Sequence, residues 1–288
     1  MNPDTNFSHL LVERRDGVME IVLDRPEKLN ALGIGPGSNR EEISRALALA
    51  DADDAIGCML IRANGRAFCA GGDLTGAAKT GTPLDEHLFN ASIVVFYAAI
   101  RAIHKPVIAA VHGMCLGAGM GFVAQCDIAI AADDAKFGLI EGRIGHPGAT
   151  EVVPLIGAAW AKFLILTGEI IDAQVAQRIG LVLTVVPATE LLASSRELAQ
   201  RIARMPREAV ILNKAGINNM TDAMGRAAGR LTGRAYDSLT KSMSSRARAP
   251  DGRRFDEILQ AGGMKELKRA RDTQYTANWL PPSKPACD

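Results

Sequence analysis

Short apolar runs bounded by turn residues dominate the first 190 or so positions of this chain, and helical spacing dominates the rest. Leu11–Val12 and Met19–Leu23 flank Asp16-Gly17, a pair suited to a tight hairpin turn. Ser38, followed three residues later by Glu41, is a capping-box pattern and predicts a helix to about Ala50. Cys58–Arg62, Val107–Val111, Asp127–Ala132 and Leu181–Val186 are apolar, mostly with β-branched residues, and predict strands. Lys136–Glu141 predicts a short extended piece that ends in a carboxylate. Leu84–Ile103 predicts a long helix with Thr82 as its cap and Lys105-Pro106 as its stop. Met120–Gln125 predicts a short helix, and helices are expected between Ala149 and Leu166. Beyond Glu190 no strand is expected. Helical patterns fill Leu191–Met205, Arg207–Met220 and Ala223–Ser245 and continue more weakly to Arg271. The tail from Trp279 carries Pro281, Pro282 and Pro285, so it cannot be helical.

The pattern therefore predicts an α/β chain with an all-helical end. Two of its strands run directly into glycine-rich loops. Gly65–Asp73 (GRAFCAGGD) follows Cys58–Arg62, and Gly113–Gly121 (GMCLGAGMG) follows Val107–Val111. The strand, glycine loop and helix thus occur twice, as in a repeated ββα-like element. Glycine lets a backbone approach a ligand closely. Two such loops can aim two N–H groups at one oxygen, which is an oxyanion hole.

Composition adds mainly exclusions. The 288 residues suit one large domain, or one with a small appendage, and 48% apolar with 23% charged residues is ordinary for a soluble globular chain. A net charge of +1 points to neither nucleic acid nor membrane. From Arg201 onward there are 17 Lys and Arg against 9 Asp and Glu, which reads as solvated helical faces before it reads as a polyphosphate or RNA surface. Five scattered cysteines without a signal-like start suggest a reducing compartment, the cytoplasm. Ile93–Ile100, taken as the longest clean apolar run, is too short to cross a bilayer. In Gly117–Gly121 a dinucleotide fingerprint fails, because Phe122 stands where glycine is required. The five histidines show no metal-binding spacing, no GxSxG nucleophile elbow occurs, and Ser38 reads as a helix cap.

An ordered set of segments resembles the crotonase, or enoyl-CoA hydratase/isomerase, superfamily. The set is Val18–Leu32, Ala67–Leu74, Lys105–Gly113, Leu116–Gly119, Cys126–Ile128, Phe137-Gly138, Leu166–Gly168 and Ala176–Val182. The resemblance spans roughly Leu11 to Met205. It implies a crotonase-like spiral of ββα repeats over residues 1–205, with a helical region over 206–288 that assembles trimers or dimers of trimers. It also implies an acyl-CoA thioester as substrate, and no cofactor beyond that coenzyme A moiety. Matched residue by residue, the two oxyanion-hole N–H groups fall on Gly72 and Ala118. The helix from Met120 would point its N-terminus at the thioester oxygen. The coenzyme A segments fall on Lys28, Leu29 and Ala31, and on Ala70, Gly72, Asp73 and Leu74.

The acid/base positions depart from the family pattern. Hydratases of the family carry two glutamates around one water. The first is replaced here by Gly121, and the second matches Glu141. A lone carboxylate suits a 1,3-proton shift, since one base can lift a proton at C2 and return it at C4. Double-bond isomerisation is thus set slightly ahead of hydration. His146 and Glu151 are candidates for a second acid/base group, each equally readable as structural. A non-catalytic acyl-CoA binder, or a thioester hydrolase or decarboxylase of the same superfamily, is the alternative. Leu88, Phe89 and Phe96 read as core first and as acyl-pocket walls second, and the loop Ala77–Thr82 as a further candidate wall.

Overall fold

In the computed structural model, which describes residues 6–73, 83–243 and 246–283, the hairpin forms as the sequence predicts. β1 (Leu10–Arg15) and β2 (Val18–Leu23) pair antiparallel across Asp16 and Gly17, whose φ angles are 49° and 77°. Two consecutive positive φ values match the twist of the flanking strands. α1 (Asn39–Ala52) opens at Ser38, whose side chain accepts from the Glu41 N–H, while Glu41 accepts from the Gly37 N–H at 2.6 Å.

Three ββα units follow, one more than the sequence reveals. β3 (Cys58–Ala63), β4 (Ala67–Cys69) and α2 (Pro83–Ala102) form the first. β5 (Val107–Val111), β6 (Met114–Leu116) and α3 (Ala118–Val123) form the second. In the third, β7 (Ile128–Ala132) and β8 (Lys136–Gly138) lead through two 3-10 turns into α4 (Val153–Thr167). β9 (Ile170–Asp172), α5 (Ala173–Arg178) and β10 (Thr184–Val186) complete the sheets. The large sheet has the order β1-β2-β3-β5-β7-β10 and the small one β4-β6-β8-β9. The first strand of every unit joins the large sheet and the second joins the small one. This regularity lays the two glycine loops side by side.

Alternation along the large sheet divides the interior. Met19, Ile21, Leu23, Met59 and Ile61 enter the main core, whereas Val18, Cys58, Leu60, Ile108 and Ala110 pack beneath α6 (Leu191–Ala203). Strands buried on both faces must be apolar throughout, which is why they read as continuous runs. Glu20 breaks that rule. It lies on the α6 face, almost fully buried, and accepts from Arg62 Nε at 3.1 Å and from Arg196 Nε at 2.5 Å. One carboxylate thus ties β2 to β3 and to α6. Beyond α6 come α7 (Arg207–Thr221), α8 (Ala227–Met243) and α9 (Phe255–Asp272).

Several element boundaries differ from the sequence expectation. α3 starts at Ala118 rather than Met120, directly after Gly117 at φ +52°. The extended piece from Lys136 stops at Gly138, and Glu141 instead opens a 3-10 turn, Glu141–Ile144, closed by Gly145 in the left-handed region. The last strand pairs only over Thr184–Val186. Helix from Ala149 begins as a 3-10 turn at Thr150–Val152, and α4 is broken at Gly157 (φ +76°). The helix expected from Ala223 starts as a π turn, Asp222–Arg226, with Gly225 at φ +104°. A longer apolar helical stretch, interrupted by Glu151 and Lys162, lies further along the chain. Thr150–Thr167 spans 18 residues at mean hydropathy 1.4, enough to cross a membrane by length and composition. Pro154 and Gly157 disguise it in the sequence, and its Ile156, Ala161 and Leu164 are buried. Thr82, Leu74 and the loop Ala77–Thr82 lie outside the described residues, as do the side chains of Leu88 and Phe89.

Burial raises the pKa of Glu20, but the hydrogen bonds from Arg196 and Arg62 outweigh it and hold the group below the ordinary carboxylate value. A carboxyl lowered in the folded state adds stability above its unfolded pKa and loses it as pH falls through the folded value. Glu20→Gln is therefore expected to cost about 3 kcal/mol in urea unfolding at pH 7. The gap to the parent protein should shrink as the pH is taken below the ordinary carboxylate range.

Candidate active site

The two segments matched to coenzyme A contacts run alongside each other. Ala70 N–H donates to Leu29 O at 3.0 Å, Leu32 N–H to Gly71 O at 2.8 Å, and Asp73 N–H to Leu32 O at 2.8 Å. Leu29 and Asn30 both sit in the left-handed region, which costs non-glycine residues energy. Asn30 offsets that cost with its fully buried side chain. Its Oδ1 accepts from Arg25 N–H at 2.8 Å, and its Nδ2 donates to Asn64 O and Ala67 O, each at 2.8 Å. Arg25 then donates to Ala31 O at 3.1 Å and to Asp73 Oδ2 at 3.2 Å. Lys28 projects from the exposed end of the turn, and Ala31 and Ala70 are partly exposed. Lys28, Leu29, Ala31, Ala70, Gly72 and Asp73 thus gather on one ledge.

Gly72 ends this ledge against the second glycine loop. A Cβ placed on Gly72 would lie 4.0 Å from the Ala118 Cβ. Neither the Gly72 N–H nor the Ala118 N–H donates to a backbone oxygen among the described residues. Ala118 is the first residue of α3, where an intrahelical acceptor is lacking by construction. α3 has only six residues, so individual N–H groups rather than a long helix dipole face this space. The approach depends on Gly119, where a Cβ would stand 2.4 Å from Cys69 O. Any side chain there would push the two loops apart. Cys69 itself is buried, and burial raises its thiol to about 11, so it remains protonated at neutral pH.

Glu141 joins the same place from the third unit. A Cβ on Gly117 would come 3.0 Å from Glu141 Oε1, so the carboxylate rests against the residue that precedes Ala118. Its 3-10 turn is pinned from behind. The buried Arg143 donates to Asp272 at 3.1 Å, and its guanidinium carbon lies 3.7 Å from the centre of the Tyr275 ring. The structure therefore brings Gly72, Ala118 and Glu141 together from the three ββα units.

The two further acid/base candidates separate. His146 is tied to the Glu141 turn through its backbone, with its N–H donating to Glu141 O at 3.1 Å. Glu151 is buried at the other end of α3, where it accepts from Gln125 Nε2 at 2.7 Å. Burial raises its pKa against the lowering effects of Arg226, Arg230 and the Gln125 bond. Arg226 is itself buried and bonded to Ala124 O and to Gln125 Oε1. Phe96 is core, 5.7 Å from the Phe122 ring. Tyr97, beside it, was not among the sequence candidates, and its hydroxyl donates to Ala118 O at 3.0 Å. The available signal was a single hydroxyl in the apolar run Ile93–Ile100.

Comparisons with known proteins show the family of the chain. Residues 13–255 match the family model described as enoyl-CoA hydratase/isomerase. A "Probable enoyl-CoA hydratase" of Mycobacterium bovis is 38% identical over 216 residues, covering 74% of this chain and 82% of that protein. The 2,3-dehydroadipyl-CoA hydratase of Escherichia coli is 35% identical, covering 69% of this chain and 77% of its own length. The crystal structure of an enoyl-CoA hydratase/isomerase from Xanthobacter autotrophicus Py2 superposes with a TM-score of 0.85 at 29% identity, covering 94% of this chain and all of that one. The chain belongs to the enoyl-CoA hydratase/isomerase family, within the crotonase superfamily.

Proposed function

We propose that this chain forms an enolate from an acyl-CoA thioester, with the Gly72 and Ala118 N–H groups on the thioester oxygen and Glu141 moving the proton. The observation that carries this reading is the convergence of two donors, free of backbone acceptors among the described residues, with one carboxylate against Gly117. Removing a proton beside a thioester carbonyl places negative charge on its oxygen. Two preorganised donors stabilise that charge by about 3–4 kcal/mol each. Glu141 takes a proton from C2 of a 3-enoyl thioester, and the electron pair passes to the oxygen through the conjugated system. The same carboxyl then returns the proton at C4, leaving the 2-enoyl isomer. Lys28, Leu29, Ala31, Ala70 and Asp73 are proposed to hold the coenzyme A moiety along the ledge.

Hydration is the second reading, favoured by the hydratase names of the relatives. The helices after residue 205 are proposed to assemble trimers, or dimers of trimers. Leu212, Ile217, Met220, Met224 and Leu231 lie on α7, on α8 and in the π turn between them, each more than 60% exposed, as an apolar contact surface requires.

Incubation with a 3-enoyl-CoA, and separately with the matching 2-enoyl-CoA, tests the reaction by product mass. The isomer of unchanged mass is expected from the first substrate. Glu141→Gln is expected to keep the fold and lower turnover by at least about 100-fold, and near-normal turnover would sink the assignment. Ala118→Pro places proline where a helix tolerates it and removes one donor. It is expected to lower kcat by about 10²–10³ while leaving the melting temperature nearly unchanged.

A further inference from the structure

Gly121 leaves room on α3 that another element fills. The phenol of Tyr97 reaches across from α2, and a Cβ on Gly121 would lie 3.5 Å from its hydroxyl oxygen and 3.6 Å from the ring carbon that bears it. The hydroxyl thus lies in contact with the place where a side chain at 121 would begin. Two ring neighbours and one hydrogen bond hold it. The ring packs against Phe96 at 5.3 Å, and the buried guanidinium of Arg40 lies 5.8 Å from its centre. The hydroxyl hydrogen is committed to Ala118 O, the carbonyl of the residue whose N–H faces the proposed thioester oxygen. What remains on the oxygen is lone-pair density, an acceptor rather than a donor. Burial keeps the phenol protonated by raising its pKa far above the ordinary value, and Glu141 and Glu151 act on it through space in the same sense.

We propose that Tyr97 is the second polar group of the reaction site, accepting one hydrogen of a water molecule whose other hydrogen faces Glu141, so that the site also adds water to a 2-enoyl thioester. This rests on the acyl-CoA reading above. Two acceptors on one water leave its oxygen lone pair aimed at the substrate. The water oxygen bonds to C3, and the C2–C3 π pair moves through the carbonyl onto the thioester oxygen. Glu141 takes the water's proton and delivers it to C2 as the enolate collapses. The net change is addition of one water, and Tyr97 keeps its proton throughout.

Purified Tyr97→Phe separates this role from a mere tie between α2 and α3. Two rates are read on the same preparation. One is hydration of a 2-enoyl-CoA. The other is exchange of the α-protons of a saturated acyl-CoA with deuterated water, which needs the two N–H donors and Glu141 but no bound nucleophile. Tyr97→Phe is expected to lower hydration about 100-fold and exchange by less than about 3-fold. Hydration that stays near the parent rate, or that falls in step with exchange, overturns the proposal. Exchange without any hydration in the parent protein also overturns it, but leaves the enolate reading standing. No exchange in the parent overturns the enolate reading and this proposal together.

Discussion

Everything at the candidate site depends on two backbones meeting with no side chain between them. At Gly119 the second glycine loop rests on the carbonyl of Cys69, so closely that a single methyl would collide with it. That contact sets the separation of Gly72 and Ala118. The ladder from Leu29 to Asp73 fixes one side of the contact, and Asn30 fixes the ladder. The large sheet fixes the other side through the register of β3 with β5. Preorganisation here is a packing property. Among the described residues, the packed loops leave the Gly72 and Ala118 N–H groups without a backbone acceptor.

The third contributor reaches the site by a longer route. Glu141 stands on a short 3-10 turn, and such turns are weak on their own. Its anchor is Arg143, held by Asp272 at the end of α9 and stacked on Tyr275. The position of the carboxylate is thus coupled to the end of the C-terminal helix, through a bond that spans 129 residues of sequence. Glu151 follows a different logic. Its bonds run to Gln125, within a network that also holds Arg226, and they join the end of α3 to the turn between α7 and α8. A buried carboxyl serving that junction has an architectural reason to be there.

The sequence showed the strands of the large sheet because they are buried on both faces and apolar without interruption. It showed the hairpin through Asp16-Gly17 and α1 through Ser38 and Glu41, where local chemistry alone decides the conformation. Three of the four strands of the small sheet, β4, β6 and β9, were hidden, since three residues are too few to display a period. Breaks at Gly157 and Gly225 were hidden too, because a glycine inside an apolar helix does not announce its φ. Gly72, Ala118 and Glu141 could be named from an ordered resemblance, and the structure gathers them in one place. Tyr97 could not be named. It belongs to a helix that reads as core, and only the fold reveals that its hydroxyl arrives where Gly121 leaves a gap.

Cys69 has a consequence for chemical self-preservation. An α,β-unsaturated thioester is an electrophile, and a thiolate beside it would add to its β-carbon. Burial pushes the Cys69 thiol up to about 11, so it stays protonated at neutral pH. Its S–H also donates to Gly71 O at 3.6 Å. Cys115 and Cys126 are likewise raised by burial. If the chain takes the thioesters proposed for it, the same burial that brings its loops together also shields the sulfur packed behind them from alkylation.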